Sequence, residues 1–326
     1  MRSILATSLM LGGILATPAI AADAQGWLQR LSQAESMQSF QGTFVYERNG
    51  NLSTHSIWRQ VEPGGSVRER LLRLDGAPQE MLRVNGQAQC VNGPIASAVV
   101  DEQAWPAHGL DVKQIEQWYE LRLSGESRVA GRSAVILGLI PRDQHRYGVQ
   151  LYLDKETGLP LKSLLVNGRG ELLERFQFTQ LDTADTQPAA VLQPSTNCAP
   201  VRVVKARAPS VESWRSGWLP PGFNLSAVTQ QRSPVSADNV DCLVYDDGLA
   251  RFSVFLEPLH DAGVADSRNQ LGPTVAVSRR LTTGDGDVMV TVVGEIPLGT
   301  AERVAMSMRA DTVSYTHLTL PTNREG

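Results

Sequence analysis

The chain has 326 residues, of which 42% are hydrophobic and 20% charged, and its formal net charge is -4. This composition is typical of a globular protein, and at roughly 150 residues per domain the length predicts about two domains. The slight acidic excess and the lack of blocks of like charge argue against nucleic acid as a partner. Composition alone therefore argues against a disordered chain and a nucleic-acid-binding protein, and it selects no function.

The N-terminal segment has the pattern of a secretory signal peptide. Arg2 is the only charged residue before Asp23, and the apolar stretch from Ile4 to Ile20 ends in the small-residue processing pattern Ala19-Ile20-Ala21. No cysteine follows the processing site, so we expect no lipoprotein anchor. We expect residues 1–21 to be removed and the remainder to be exported to the periplasm; an uncleaved anchor is the alternative.

Residues 22–182 are predicted to form a mostly β domain. A short amphipathic helix is predicted from Gln25 to Met37 and a second near Asp111–Tyr119. Alternating apolar residues separated by turn sequences such as Asn85-Gly86 predict an antiparallel meander. The predicted strands are Gly42–Glu47, Thr54–Val61, Val67–Leu74, Glu80–Val84, Gln87–Val91, Leu121–Val129, Ser133–Ile140, Tyr147–Asp154, Leu161–Val166 and Glu171–Leu181.

A change of composition marks the end of this domain. Residues 183–213 contain four spaced prolines and no hydrophobic period, which predicts a linker. Residues 214–312 are predicted to form a smaller domain that closes with a helix, Thr300–Met308. Residues 313–326 resemble a translated adapter sequence and are excluded from the fold prediction. The strands predicted in the smaller domain are Val240–Tyr245, Phe252–Leu256, Val275–Leu281 and Val288–Gly294.

The three cysteines are too few for a disulfide scaffold or a zinc site. In an oxidising compartment, three thiols leave at least one unpaired. We expect Cys198, in the linker, to pair with Cys242 in the domain that follows. Cys90 is then expected to be a buried, inert thiol.

A search for catalytic and metal-binding motifs finds none. HExxH, CxxC, GxSxG, SxxK and phosphate-loop patterns are absent, and no histidine outside the tail has a second ligand at metal-binding spacing. We therefore expect no metal, no cofactor and no enzymatic activity, although a dispersed Ser/His/Asp triad has no sequence signature. His145 lies in a polar segment and is expected to bond to its neighbours; a pH-sensitive or partner contact is the alternative.

The strands of the predicted meander carry large residues at alternating positions, which places these residues on one face of the sheet. A curved sheet with helices on its concave side encloses an apolar space, which is either a packed core or a lipid cavity. On the residues alone, the packed core is the better-supported alternative. The candidates for a cavity wall are Phe44, Tyr46, Ile57, Leu72 and Leu74.

An arginine-rich strand accompanies these residues. Such a row usually forms a solvated strand face, but beside an apolar cavity a guanidinium can bind a phosphate or carboxylate head group with two parallel hydrogen bonds. The head-group candidates are Arg68, Arg70 and Arg73.

Several runs of residues carry a resemblance to a known family, and they cover both predicted domains in order. They are Ser39–Arg48, Pro141–Tyr147, Thr157–Ser163, Leu173–Phe178, Trp218–Phe223, Asp247–Val254 and Val292–Glu295. On these runs the chain resembles the MucB/RseB family of periplasmic regulators of envelope-stress sigma factors.

The resemblance implies an α+β fold, with an N-terminal LolA/LppX-like open half β-barrel covered by helices and a smaller C-terminal α/β domain. It implies a non-enzymatic regulator that binds the periplasmic domain of a MucA/RseA-type anti-sigma factor and protects it from a DegS-like protease. A lipid signal, such as mislocalised lipopolysaccharide, is expected to release the regulator and so switch on the stress response and alginate production. The alternative is a periplasmic lipid or lipoprotein carrier of the LolA type.

The smaller domain offers candidates for the anti-sigma contact, because a peptide segment can be laid on its surface. Their alternative interpretation, as core and turn residues, is at least as well supported, and the sequence leaves a homo-oligomer open. The candidates are Trp218, Phe223, Arg251 and Phe252.

Overall fold

The structure is a computed structural model that describes residues 18–93, 110–184, 189–201, 214–236, 238–259, 265–284 and 286–310. The predicted tail, nearly all of the predicted signal peptide and residues 185–188 and 202–213 of the predicted linker lie outside these ranges. No helix in the described ranges has both the length and the apolar character needed to cross a bilayer.

The N-terminal domain is built on one antiparallel sheet of eleven strands. Their order across the sheet is β11-β5-β4-β3-β2-β1-β10-β9-β8-β7-β6. Every strand predicted for this domain is confirmed. The strands are β1 (Phe40–Arg48), β2 (Asn51–Val61), β3 (Val67–Arg73), β4 (Glu80–Val84), β5 (Gln87–Asn92), β6 (Tyr119–Val129), β7 (Arg132–Pro141), β8 (Gly148–Asp154), β9 (Pro160–Val166), β10 (Leu172–Asp182) and β11 (Ala199–Pro200).

The tight turns explain why the meander forms. Asn49 and Gly50 both have positive φ angles, of 52° and 72°, and so do Asn85 and Gly86. Two consecutive residues in this region form the two-residue turn whose twist matches that of paired strands, and asparagine and glycine adopt it at low cost. The turn chemistry therefore sets the register of β1 with β2 and of β4 with β5.

The sheet is open and strongly curved. β6 and β10 are four positions apart in the strand order, which would separate them by about 19 Å in a flat sheet. Yet some of their Cα atoms lie within 8 Å of each other. The sheet thus curls into a partial barrel, as expected from the resemblance.

Two helices fill the concave side. Helix α1 (Pro18–Met37) begins earlier than predicted, and it buries Leu28 and Leu31 against the sheet. Helix α2 (Val112–Trp118) confirms the second predicted helix, and the Asp111 side chain caps it by accepting a hydrogen bond from the Gln114 amide at 3.1 Å. Ile115 of α2 joins the same apolar cluster.

Part of the predicted linker folds back onto the first domain. A 3₁₀ turn at Ala189–Leu192 is followed by β11, which pairs with β5 at the edge of the sheet. Cys198 forms a disulfide with Cys90, whose Cα lies 5.4 Å away. The predicted Cys198–Cys242 pairing is therefore wrong, because the segment returns to the sheet behind it and does not reach the next domain. Cys242 is buried in the C-terminal sheet.

The C-terminal domain is a six-stranded antiparallel sheet with one helix, α3 (Leu298–Ser307), packed on one face. All four strands predicted here are confirmed; β13 and β16 were missed because both are edge strands with largely polar sequences. Its strands are β13 (Asn224–Arg232), β14 (Asn239–Asp246), β15 (Arg251–Pro258), β16 (Ser267–Leu271), β17 (Thr274–Thr283) and β18 (Gly286–Gly294), and a separate pair joins β12 (Trp214–Ser216) to β19 (Met308–Ala310).

Candidate functional site

Three of the five cavity candidates share the concave face of the N-terminal sheet. Phe44, Tyr46 and Ile57 pack in one apolar cluster with the C-terminal end of α1. The Phe44 ring lies 4.7 Å from that of Phe176 and 5.9 Å from that of Phe178, measured between centroids. Aromatic pairs at these separations stabilise a core beyond the area they bury. The three residues form a continuous aromatic and aliphatic surface next to the helix.

The other two candidates do not belong to this surface. Ile57 pairs with Leu71 across β2 and β3, whereas Leu72 pairs with Ser56 and therefore points to the opposite face of the sheet. Leu71, not Leu72, packs in the aromatic cluster. Leu74 follows the end of β3 and is 55% exposed.

The three head-group candidates are separated in the same way. Alternation places Arg68 and Arg70 on the convex face with Leu72, and Arg73 on the concave face. Each guanidinium is already paired within the domain: Arg68 with Glu62 at 3.4 Å, Arg70 with Glu80 at 2.8 Å, and Arg73 with Asp75 at 2.9 Å between nitrogen and oxygen. The structure thus does not gather them into one anion site.

The four candidates in the C-terminal domain fall into two groups. Phe223 and Phe252 are buried in the core, with their ring centroids 5.1 Å apart. Trp218 is half-buried, and the guanidinium carbon of Arg303 lies 3.9 Å from its ring centroid. Arg251 is half-buried near Asp246, at 3.9 Å. Only Trp218 and Arg251 retain surface that a partner can contact.

A residue that the sequence analysis did not single out joins the two domains. Arg146, in the loop between β7 and β8, has a fully buried side chain. Its Nη1 donates to Oδ2 of Asp247 in the C-terminal domain at 2.5 Å, and Nη2 donates to the carbonyl oxygen of Pro221. Two further bonds reach Asp143 of its own loop, at 3.0 and 3.1 Å. One guanidinium therefore binds oxygen atoms of both domains.

Asp247 completes this contact from the other side. Its Oδ1 accepts from the backbone N–H groups of Leu249 at 2.9 Å and Ala250 at 2.7 Å, while Oδ2 also accepts from the Tyr119 hydroxyl at 3.0 Å. Burial raises the pKa of Asp247, and the Arg146 charge and the three other donors oppose that rise. The buried Asp247 carboxylate is thus fully hydrogen-bonded by four donors. The contact between the two domains around Arg146 and Asp247, which we call the junction, therefore depends on specific hydrogen bonds as well as on charge.

Aromatic rings enclose the guanidinium. The Arg146 guanidinium carbon lies 5.4, 5.5 and 5.1 Å from the ring centroids of Trp118, Tyr119 and Phe223. Gly222 has a φ of +86°, and a Cβ at that position would overlap the Trp118 indole. Glycine is thus required for the Pro221-Gly222 turn to approach the N-terminal domain.

Two neighbours of Arg146 extend the junction. The Tyr147 hydroxyl donates to the carbonyl oxygen of Ile296 at 3.1 Å, and Nδ1 of His145 lies 3.2 Å from Oγ1 of Thr300. The His145 ring also meets Trp218 edge-on, at 5.1 Å between centroids. His145 bonds to its neighbour Asp143, as expected, and also contacts the other domain.

The missed residues had a signal in the sequence. Arg146 lies in the run Pro141–Tyr147 and Asp247 begins the run Asp247–Val254, both of which carried the family resemblance. Charged residues inside such runs are candidates for a specific contact. Among the described residues, no group of three or more His, Cys, Asp or Glu side chains is arranged to hold a metal ion.

Comparison with known families matches both domains. Residues 23–196 match the MucB/RseB N-terminal domain, and residues 208–309 match the MucB/RseB C-terminal domain. The chain belongs to the MucB/RseB family. Arg146 and Asp247 each lie within one of these two matched domains, so the buried junction joins the two modules of the family.

Members of the MucB/RseB family are similar over nearly the whole length of the chain. The sigma factor AlgU regulatory protein MucB of Pseudomonas aeruginosa is 59% identical over 307 residues, covering 94% of this chain and 97% of the relative. The sigma-E factor regulatory protein RseB of Escherichia coli K12 is 25% identical over 323 residues, covering 93% and 96%.

Solved structures of a family member show the same fold. The P. aeruginosa MucA/MucB complex matches with a TM-score of 0.77 at 60% identity, covering 89% of this chain and 99% of that one. A crystal structure of MucB matches with a TM-score of 0.70 at 57% identity, covering 89% and 98%.

Proposed function

We propose that this chain is a periplasmic negative regulator of an envelope-stress sigma factor of the alginate type. It binds the periplasmic domain of a MucA/RseA-type anti-sigma factor, protects that domain from proteolysis and has no catalytic role of its own. The observation that carries the proposal is the 59% identity with a sigma-factor regulatory protein across both domains. A protein of similar fold was solved in complex with MucA(peri), at 59% identity and a TM-score of 0.75.

The junction supports a binding role that needs both domains. The Arg146–Asp247 pair fixes the C-terminal domain, which carries Trp218 and Arg251, relative to the N-terminal domain. Trp218 is itself part of the junction through His145. The affinity of a partner that contacts Trp218 or Arg251 therefore depends on how the two domains are docked, and such a dependence is what coupling between two sites requires.

The first experiment measures binding of the anti-sigma segment. The chain without residues 1–21 is titrated with the purified periplasmic domain of a MucA-type protein in a calorimeter, and the complex is then challenged with the first protease of the pathway. We expect a one-site isotherm and slower cleavage of the bound segment. Absence of binding would exclude the proposed function and leave a lipid or lipoprotein carrier of the LolA type as the alternative.

Matched variants localise the contact. Arg251→Ala is expected to weaken binding about tenfold or more, because it removes a guanidinium from a half-buried surface position. Arg169→Ala, at a turn position whose side chain is 81% exposed, is the control and should bind as the unmodified chain does. Equal binding by both variants would remove Arg251 from the interface.

We further propose that a lipid chain enters along the concave face beside Phe44, Tyr46 and Ile57. Their shared aromatic and aliphatic surface beneath α1 supports this position. Ile57→Trp would add a ring on the proposed path of the lipid chain, whereas Leu72→Trp adds the same ring on the opposite face.

The test is release of the bound anti-sigma segment by lipopolysaccharide or fatty acyl lipid. We expect Ile57→Trp to reduce release and Leu72→Trp to leave it unchanged, with circular dichroism showing that both variants are folded. Reduced release by Leu72→Trp alone would place the lipid on the convex face.

A further inference from the structure

A second charged contact joins the domains at the end of β1, away from Arg146. Nη2 of Arg48 donates to Oε1 of Glu295, in the C-terminal domain, at 2.7 Å, and also to the hydroxyl of Thr274. On its other side, Nε of Arg48 lies 3.8 Å from Oε2 of Glu174 on β10. The Tyr46 hydroxyl donates to the same Glu174 oxygen at 2.6 Å.

The charges in this cluster do not cancel. Arg48 supplies one positive charge, whereas Glu174 and Glu295 supply two negative charges when both are ionised. The carboxylates are only 18% and 20% exposed, so the surplus negative charge is held where water screens it poorly. One added proton, on either carboxylate, would make the cluster neutral.

The groups around the cluster do not supply the missing positive charge. On the neighbouring strand positions, Glu47 and Arg175 pair with each other at 3.4 Å. Arg251, on the strand that pairs with the one ending before Glu295, lies 3.9 Å from Asp246. From the other elements, the Tyr46 hydroxyl donates to Glu174, and the Tyr147 hydroxyl donates to the carbonyl oxygen of Ile296, next to Glu295. In the described chain, Arg48 is thus the cation that the two glutamates share.

We propose that this contact is a proton-linked latch, in which docking of the C-terminal domain on the end of β1 takes up one proton on the cluster of Glu174, Arg48 and Glu295. The docked arrangement is therefore favoured as the pH falls and loosens as the pH rises. The latch follows from the charge count and the burial, and it does not depend on what the protein binds. If the proposed periplasmic location holds, the latch experiences the pH outside the inner membrane.

The raised pKa of Glu295 agrees with the proposed uptake of a proton on docking. Burial and the negative charge of Glu174 raise the pKa of Glu295 to about 7, against the opposing effect of Arg48. Burial also raises the pKa of Glu174. Undocking would expose Glu295 and return its pKa toward the ordinary value of 4.5. Because the pKa is higher in the docked state, docking is strongest below about pH 4.5 and is weakened as the pH rises through about 7.

The size of the pH effect on docking follows from the ordinary and the docked pKa of Glu295. The interval between the ordinary pKa of 4.5 and a docked pKa of about 7 corresponds to a change of about 300-fold in the docking equilibrium. A cavity of about 230 Å³ beside Glu174, lined also by Asn49 and Gly272, gives water a route to the cluster. Proton exchange therefore does not require the domain to unfold.

The test begins with the carboxyl groups themselves. Carbon-13 labelled glutamate side chains in the chain without residues 1–21 are titrated by NMR from pH 4 to 9, with the Glu295 signal assigned by its loss in Glu295→Gln. We expect Glu295 to titrate near pH 7, and its pKa to fall in Glu174→Gln because one negative charge is removed. Glu171 is the control, because it is exposed at a turn and its own pKa is lowered. It should titrate identically in the unmodified chain and in Glu174→Gln.

The second readout is the distance between the domains. Spin labels are placed at two exposed positions, Gly168→Cys in the N-terminal domain and Asn269→Cys on β16, and the distance distribution is recorded at pH 5 and 8.5. We expect a larger docked fraction at pH 5, and no difference between the two pH values in Glu295→Gln. A Glu295 pKa near 4.5, identical distributions at both pH values, or a pH response that persists in Glu295→Gln would each overturn the proposal.

Discussion

Replacement of Arg146 by methionine tests whether the junction holds the two domains together. The substitution keeps an unbranched side chain among the aromatic rings but removes the hydrogen bonds to Asp247, Asp143 and the Pro221 carbonyl oxygen. Breaking a fully buried ion pair by removing one partner costs about 3–5 kcal/mol. Asp247 keeps three other donors, which places the expected loss of stability near the lower end, at about 3 kcal/mol.

The loss is measured by urea unfolding at pH 7, followed by tryptophan fluorescence, because Trp118 and Trp218 both lie at the junction. Arg169→Met is the control; its guanidinium is 81% exposed and paired with another exposed side chain, so we expect a change within about 0.5 kcal/mol.

A double variant separates the charge from the packing. Asp247→Asn keeps the side-chain carbonyl oxygen that accepts from the following turn but removes the unpaired charge left by Arg146→Met. The combined variant should therefore lose at least about 1 kcal/mol less than the sum of the single variants. A cost below about 1 kcal/mol for Arg146→Met, or strict additivity with Asp247→Asn, would refute the conclusion that this pair locks the domains.

Three further predictions concern the N-terminal domain. Replacing Cys90 and Cys198 by alanine opens a loop spanning 108 residues and should reduce stability by about 2–5 kcal/mol, after which dithiothreitol should have no further effect on the unfolding midpoint. Phe44→Ala should cost about 3–5 kcal/mol and Leu74→Ala less than about 0.5 kcal/mol in the same assay, because only Phe44 is buried; equal costs would contradict the assignment of faces. Burial acts to raise the pKa of Asp154, but hydrogen bonds from a neighbouring guanidinium and threonine lower it overall. The contribution of Asp154 to folding stability is therefore present above about pH 4 and lost as the pH falls through the lowered pKa. Asp154→Asn should flatten that part of the plot of stability against pH, and an unchanged plot would exclude a contribution from Asp154.

The elements of both domains were predictable because their signals are local. Alternation and turn pairs such as Asn85-Gly86 specify strands from a few neighbouring residues, and every predicted strand is present. β16 was missed because its sequence, Ser-Arg-Asn-Gln-Leu, is fully exposed at a sheet edge and has no apolar face to reveal it. The family resemblance was also available from the sequence, since its runs extend across both domains.

The site itself depended on tertiary structure. Leu71 and Leu72 are both apolar, so alternation could not tell which of them faces the helices, and only the register with Ile57 decided it. Three cysteines permit three pairings, and the return of the linker to β5 selected Cys90.

Length, composition and local pattern by themselves determined a two-domain, mainly β protein without catalytic motifs. The tertiary structure alone decided how the domains meet. Arg146 and Asp247 are 101 residues apart in the chain, and neither has a local pattern that specifies the other. Their pairing exists because docking removes both charges from water, so that each becomes the partner the other requires.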